Sequence, residues 1–256
     1  MNTELNIKKP SNKSLKLVSS LTLFATMLAA AQPTEVDAAT NRQVHNRITH
    51  AKELLGKKYK HSTVHKTEKT DNISEFITST TRNLLPKTYK KSARQVATVI
   101  IKESERYGFD PIFLMAVIQN ESSFNPRMKG GVGEIGLMQI KPDTAEWIAE
   151  LSGIKYEGAE SLYKPEVNIR IGAAYLNKLR GQFSSNSTLY LTAYNAGAGN
   201  VRKMVSKKMA PKIYATAVMK RYFAIYSALG TNKGTQSQRA DQVLAHMMNA
   251  TKIVRN

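Results

Sequence analysis

The chain has 256 residues, with 38 Lys and Arg against 19 Asp and Glu for a formal net charge of +19, and it contains no cysteine. That length suffices for one good hydrophobic core with extensions. The lack of cysteine excludes a disulfide framework and a lipid anchor on cysteine, so the fold must rely on its core.

Residues 1–31 place Lys8, Lys9, Lys13 and Lys16 ahead of an apolar run from Leu17 (LVSSLTLFATMLAAA), with small residues at Ala29 and Ala31. This is the layout of a secretory signal peptide. The run is shorter than the roughly 20 apolar residues that a membrane span needs. Cleavage is expected after Ala31, with Ala38 as the rival position; an uncleaved N-terminal anchor is the alternative. No later segment could cross a membrane, so the expectation is an exported chain, periplasmic or extracellular, with no transmembrane anchor after cleavage. Beyond residue 31 there remain 34 basic and 18 acidic residues, a net +16. Such an excess favours polyanions, here anionic envelope polymers and lipid surfaces rather than nucleic acid. A solvated basic surface explains it equally well.

Residues 32–92 form a basic extension, polar and lysine-rich (GKKYKHSTVHKTEKTDN) and expected to be partly disordered. His45, His50, His61 and His65 lie in it without supporting acids, so they read as solvated histidines and no metal is expected. ISEFITSTTRNLL (Ile73 to Leu85) reads as a short helix docking on the main domain. From Ala93 the pattern is helical without a convincing strand. ARQVATVIIKESERYG puts Val96, Val99, Ile100 and Tyr107 on one face and stops at Gly108. Asp110 and Pro111 supply an N-cap and a first-turn proline for IFLMAVIQNE. NIRIGAAYLNKL, LYLTAYNAG and IYATAVMKRYFAIYSALG continue the series to Gly230, and residues 231–256 suggest a terminal amphipathic helix. The fold expected for residues 93–230 is a mostly α domain of about six to eight helices. No Gly-rich phosphate loop follows a strand, and no organic cofactor is expected.

The run Ile112 to Ile118 is apolar without a break, which predicts a helix buried on all sides. It ends on Glu121. Partial desolvation and the negative end of the helix dipole both disfavour ionisation there, which predicts a raised pKa and a general acid. A solvated Glu near a helix end is the alternative. In SSFNPRMKGGVGEIGLMQ, Asn125 and Pro126 break the helix, and the glycines permit close backbone approach or a flexible connector. In LTAYNAGAGN, Tyr194 either brings a phenol near the acid or is a core tyrosine with its hydroxyl at the surface.

Taken in order, Glu121-Ser122, Gly136-Leu137-Met138-Gln139 and Ala193-Tyr194-Asn195-Ala196-Gly197 resemble the marks of the soluble lytic transglycosylase (SLT) family of peptidoglycan-cleaving enzymes. The resemblance covers roughly Ala93 to Gly230. It implies a lysozyme-like fold, glycan strands of peptidoglycan as substrate, and Glu121 as the one catalytic acid and base, forming a 1,6-anhydro ring on N-acetylmuramic acid. It also implies that Met138 and Gln139 line the sugar site, that Tyr194 lies near the carboxylate, that Asn195 shapes the cleft and that Ser122 supports the turn within the binding region. Two departures from the family stand out: Gly130 occupies a position where many members carry serine, and MAPKIY (Met209 to Tyr214) lacks the acid that often precedes the last helix's tyrosine. A hydrolytic muramidase would need a second carboxylate, with Glu134 the first candidate and Asp143 the second. A non-catalytic wall-binding module is the rival from another class.

Overall fold

The computed structural model describes residues 35–68, 73–209 and 212–230, with side chains from residue 41 onward. The expected signal peptide (1–31) and terminal helix (231–256) lie outside them. The chain divides into two units, 1–41 and 42–256; of the first, only the start of a helix is described.

Ten α-helices are described: α1 Glu35–Leu55, α2 Thr63–Lys66, α3 Ile73–Leu84, α4 Ala93–Tyr107, α5 Pro111–Ser122, α6 Pro142–Ser152, α7 Pro165–Gln182, α8 Ser187–Ala196, α9 Ala198–Ser206 and α10 Ile213–Gly230. Among the described residues, antiparallel pairing is confined to the isolated bridges Lys129 with Ile135 and Ile135 with Ile140. The mostly α expectation holds among the described residues, with seven helices between residues 93 and 230. None of the described helices is long and apolar enough to cross a membrane.

The central element is α5. Pro111 through Ile118 are all buried, as a helix apolar on every side requires. Burying each of its Ile, Phe, Leu and Met side chains contributes about 1.5–3 kcal/mol. Pro111, Pro142 and Pro165 each open a helix at its first turn, where the missing N–H costs nothing. α10 packs along α5 and α8, and α7 joins α4, α6 and α8. α10 runs antiparallel to α5: Tyr214, near its start, reaches Glu121 at the end of α5, while Tyr222 and Tyr226 reach Asp110 at the beginning.

Where it is described, the basic extension is more ordered than its composition suggests. α3 packs on α4 as expected. His50 is fully buried rather than solvated. Its Nδ1 accepts from the Asp110 backbone N–H at 3.1 Å, which leaves Nε2 to carry the hydrogen facing the Tyr190 hydroxyl at 3.2 Å. Burial, with the nearby Arg180 charge, pushes the His50 pKa well down and keeps the ring neutral. Arg180 of α7 also grips the Glu53 carboxylate and donates to the Tyr107 carbonyl at 3.1 Å. A few buried polar groups thus fasten a segment whose composition reads as solvated.

Candidate active site

α5 starts with the Asp110 side chain capping the Ile112 N–H at 2.9 Å. It ends at Ser123 and Phe124, two non-glycine residues in succession with φ of 51° and 62°. This uncommon turn is held by the burial of Phe124 and by the Ser122 hydroxyl, which donates to the Leu137 carbonyl at 2.8 Å. The result is that Glu121 leaves the helix at the edge of the core and faces a cleft.

The loop across from it folds on itself through Ile135 and Ile140, which exchange both backbone hydrogen bonds at 3.0 and 3.1 Å. Asn168 of α7, fully buried, ties this loop down. Its amide donates to the carbonyls of Ile135 at 2.8 Å and Leu162 at 3.0 Å, and its Oδ1 accepts from the Met138 N–H at 2.7 Å. Gly136 sits under that amide at φ 81°, where a Cβ would lie 2.4 Å from both Asn168 Nδ2 and the Leu162 carbonyl oxygen. Only glycine fits.

A cleft of about 330 Å³ opens beside the acid, lined by Glu121, Glu134, Gln139, Tyr175, Tyr194 and Asn195 together with Lys141, Thr144 and the chain around Gly197. Five of the residues singled out in the sequence, Glu121, Glu134, Gln139, Tyr194 and Asn195, therefore meet at one cavity. Gln139 reaches it with both amide hydrogens engaged by the carbonyls of Met128 and Gly136 at 3.2 and 2.9 Å, so its carbonyl oxygen is the end able to meet a ligand. The Tyr194 ring lines the cleft, but its hydroxyl donates to the Met138 carbonyl at 2.8 Å and does not bond the acid.

Two residues of the site motifs, Met138 and Ser122, do not line the cleft. Met138 is fully buried; its side chain packs so closely on Gly172 of α7 that a Cβ there would lie 2.5 Å from its sulfur. It shapes the cleft through its backbone, whose N–H and carbonyl hold Asn168 and Tyr194. Ser122 is also buried and serves as the tie described above rather than as a cleft wall. Asp143 is exposed in the first turn of α6 and does not line the cavity.

Burial raises the Glu121 pKa to about 7, and the Glu134 charge adds to the rise. Hydrogen bonds from Tyr214 and Asn120 and the Arg221 charge act the other way. Tyr214 is the functional residue that sequence reasoning missed, since its hydroxyl donates directly to Glu121 Oε1. A signal was present: Tyr214, Val218, Tyr222 and Tyr226 recur every four residues along α10, and tyrosines on a buried face require partners.

Glu134, the first candidate for a hydrolytic base, lines the same cleft. In the structure its Oε2 accepts from the Val132 N–H at 3.2 Å and its Oε1 lies 3.7 Å from Lys141 Nζ. Gly130 makes its position possible, because a Cβ there would stand 2.4 Å from Glu134 Oε2 and 2.9 Å from Gln139 Oε1. Among the described residues, no group of three or more His, Asp or Glu is placed to hold a metal ion.

Glu121 at the end of a buried helix, with Glu134 in the same cleft of an otherwise helical domain, makes an acid–base site open to a ligand. Residues 98–217 match the transglycosylase SLT domain, so this part of the chain is an SLT domain. It is 44% identical over 91 residues to the soluble lytic murein transglycosylase of Salmonella typhimurium, covering 35% of this chain and 14% of that protein. Over 150 residues it is 36% identical to the membrane-bound lytic murein transglycosylase C of Serratia proteamaculans, covering 55% and 42%. The solved lytic transglycosylase Slt of Pseudomonas aeruginosa is 25% identical, with a TM-score of 0.42, covering 66% of this chain and 26% of that one. The chain spans less than half the length of each of these relatives.

Proposed function

We propose that this chain is an exported lytic transglycosylase that cleaves the bond between N-acetylmuramic acid and N-acetylglucosamine in peptidoglycan strands without consuming water. The observation that carries the reading is the Glu121 carboxyl group, set in the cleft with its pKa raised to about 7, so that it can both give and take a proton near neutral pH. Its proton passes to the glycosidic oxygen as the bond from muramic C1 breaks, leaving positive charge at C1 and a carboxylate at Glu121. The carboxylate then takes the proton of the muramic C6 hydroxyl as that oxygen bonds to C1. The 1,6-anhydro ring closes and Glu121 regains its starting form. An internal nucleophile removes the need for a second carboxylate to activate water. Tyr214 steadies the carboxylate between the two steps by donating to Oε1.

Export rests on the signal-like residues 1–31, and the basic surface suits anionic envelope polymers. Mass spectrometry of products from purified peptidoglycan tests the reaction. Muropeptides lighter by one water than their hydrolytic counterparts, and absent with Glu121→Gln, are expected. Reducing products of full mass would replace this reading with hydrolysis, for which Glu134 in the same cleft is the available base. Binding without any product would turn the reading to a wall-binding module.

A further inference from the structure

The aromatic wall of the cleft continues beyond it. Tyr194 and Tyr175 both line the cavity, their rings 5.3 Å apart, and Tyr175 meets Trp147 edge to face at 6.3 Å. Exposure rises along the series: Tyr194 is buried, Tyr175 half-buried and Trp147 45% exposed. The two supporting helices show the same continuity. Lys141, which precedes α6, and Thr144 in its first turn line the cleft, and Trp147 follows three residues after Thr144, roughly 4.5 Å further along the axis. On α7, Tyr175 lines the cleft, and Lys178, also three residues on, brings its Nζ to 5.7 Å from the indole centroid.

An indole is a large apolar group that folding ordinarily hides. Here it stands half in solvent with Tyr175 packed against it edge to face and the Lys178 ammonium over its ring, an apolar surface with a hydrogen-bond donor at its rim. A pyranose ring is the complementary object, with C–H groups across one face and hydroxyl and amide acceptors around its edge. A glycan strand lying in the cleft must leave over one of its walls, and this wall offers a continuous surface to follow.

We infer that Trp147, with Tyr175 and Lys178, forms a sugar-binding subsite outside the catalytic cleft, occupied by an N-acetylated hexosamine of the strand beyond the bond being cut. The inference rests on the glycan-cleaving reading above. A protein partner would find less here: the apolar neighbour that Trp147 has along α6 is Leu151, one turn on and 55% exposed.

Trp147 is the chain's single tryptophan, so its emission reports on the subsite directly. The full chain carrying Glu121→Gln, which leaves the ligand intact, is titrated with the hexamer of N-acetylglucosamine. A saturable change in emission is expected. In calorimetry, Trp147→Ala in the same background weakens binding about tenfold, equivalent to about 1.4 kcal/mol, and Trp147→Phe restores most of it. In the active chain, Trp147→Ala raises KM for peptidoglycan and leaves kcat within about twofold. Circular dichroism melts of both variants establish that they are folded. Unmoved emission and unchanged affinity, while the active chain still releases muropeptides, would overturn the subsite and leave the proposed function standing. Failure of the active chain to release muropeptides or bind the hexamer would remove the proposed function, and the subsite with it. Should Trp147→Ala leave glycan affinity intact but abolish self-association of the protein, the face is a contact between protein molecules and the inference is wrong.

Discussion

The two ends of α5 each hold a carboxyl group bonded to tyrosine hydroxyls of α10, one fully buried and one partly exposed, and on the proposed reaction they serve opposite purposes. At the start, Asp110 caps the helix and accepts from the Ile112 N–H and from the hydroxyls of Tyr222 and Tyr226 at 2.7 and 2.6 Å, with no exposure to solvent. At the end, Glu121 accepts from Tyr214 and faces a cleft. Burial raises the pKa of both. What separates them is the number of donors and the access: a carboxyl surrounded by partners holds structure, whereas one with few partners and an open side can exchange a proton with a ligand.

Substitutions test this division, beginning with the strongest effect. Glu121→Gln should lower turnover of peptidoglycan by about 10²- to 10⁴-fold, the usual loss when a positioned acid is removed, with the thermal midpoint unchanged or raised. Retained turnover would end the comparison. Asp110→Ala should do the reverse of a purely catalytic change, lowering stability by about 3–5 kcal/mol in denaturant titrations, because a helix cap is lost and two buried phenols lose their acceptor.

His50, bonded to the Asp110 backbone, predicts an acid weakness at the structural end. Its folded-state pKa lies well below the unfolded value of 6.5, so below pH 6.5 the unfolded chain binds a proton that the folded chain refuses. The stability this group supports is complete above about pH 6.5. It falls by up to about 1.4 kcal/mol for each pH unit below that, and His50→Asn should flatten the dependence of the thermal midpoint on pH.

Smaller effects sharpen the picture at the catalytic end. The proposed reaction needs protonated Glu121, so the alkaline limb of kcat/KM should follow its pKa of about 7. Tyr214→Phe removes a hydrogen bond that favours the carboxylate and should move that limb to higher pH. Glu134→Gln removes a repelling charge and should move it to lower pH. Gly130→Ala forces Glu134 aside and should shift the limb in the Glu134→Gln direction at a stability cost of about 1 kcal/mol or less. The same substitution should have no further effect on the limb once Glu134 is Ala.

Much of the frame was legible because its signals are local. The unbroken apolar run before Glu121, the Asp110 and Pro111 start, and the stops at Gly108 and Gly197 are all written within a few residues of the elements they delimit. The site was legible only where its residues sit on such elements. Asn168, Tyr214 and Glu134 act across 30, 93 and 2 residues of sequence respectively. For the first two no local pattern tells which loop or acid a side chain will meet. Glu134 is local, but its meaning depends on the absent Cβ of Gly130 and on the distant Glu121. Met138 shows the converse: a residue in a conspicuous motif that works through its backbone while its side chain fills the core. In α1, net polarity concealed one buried His, because composition averages over positions and burial does not.

The antiparallel pairing of α5 with α10 makes helix length an inherited constraint. Tyr214 and Tyr222 are eight residues apart, roughly 12 Å along the axis, and each must find its own carboxyl group on a neighbour that cannot slide without emptying the core. Insertion of a single residue between them would turn Tyr214 by about 100° relative to Tyr222, separating the catalytic end from the structural one while leaving composition and hydrophobicity almost untouched. Descendants of this chain can therefore exchange many residues along α10 and still work, but they have little freedom to add or delete one.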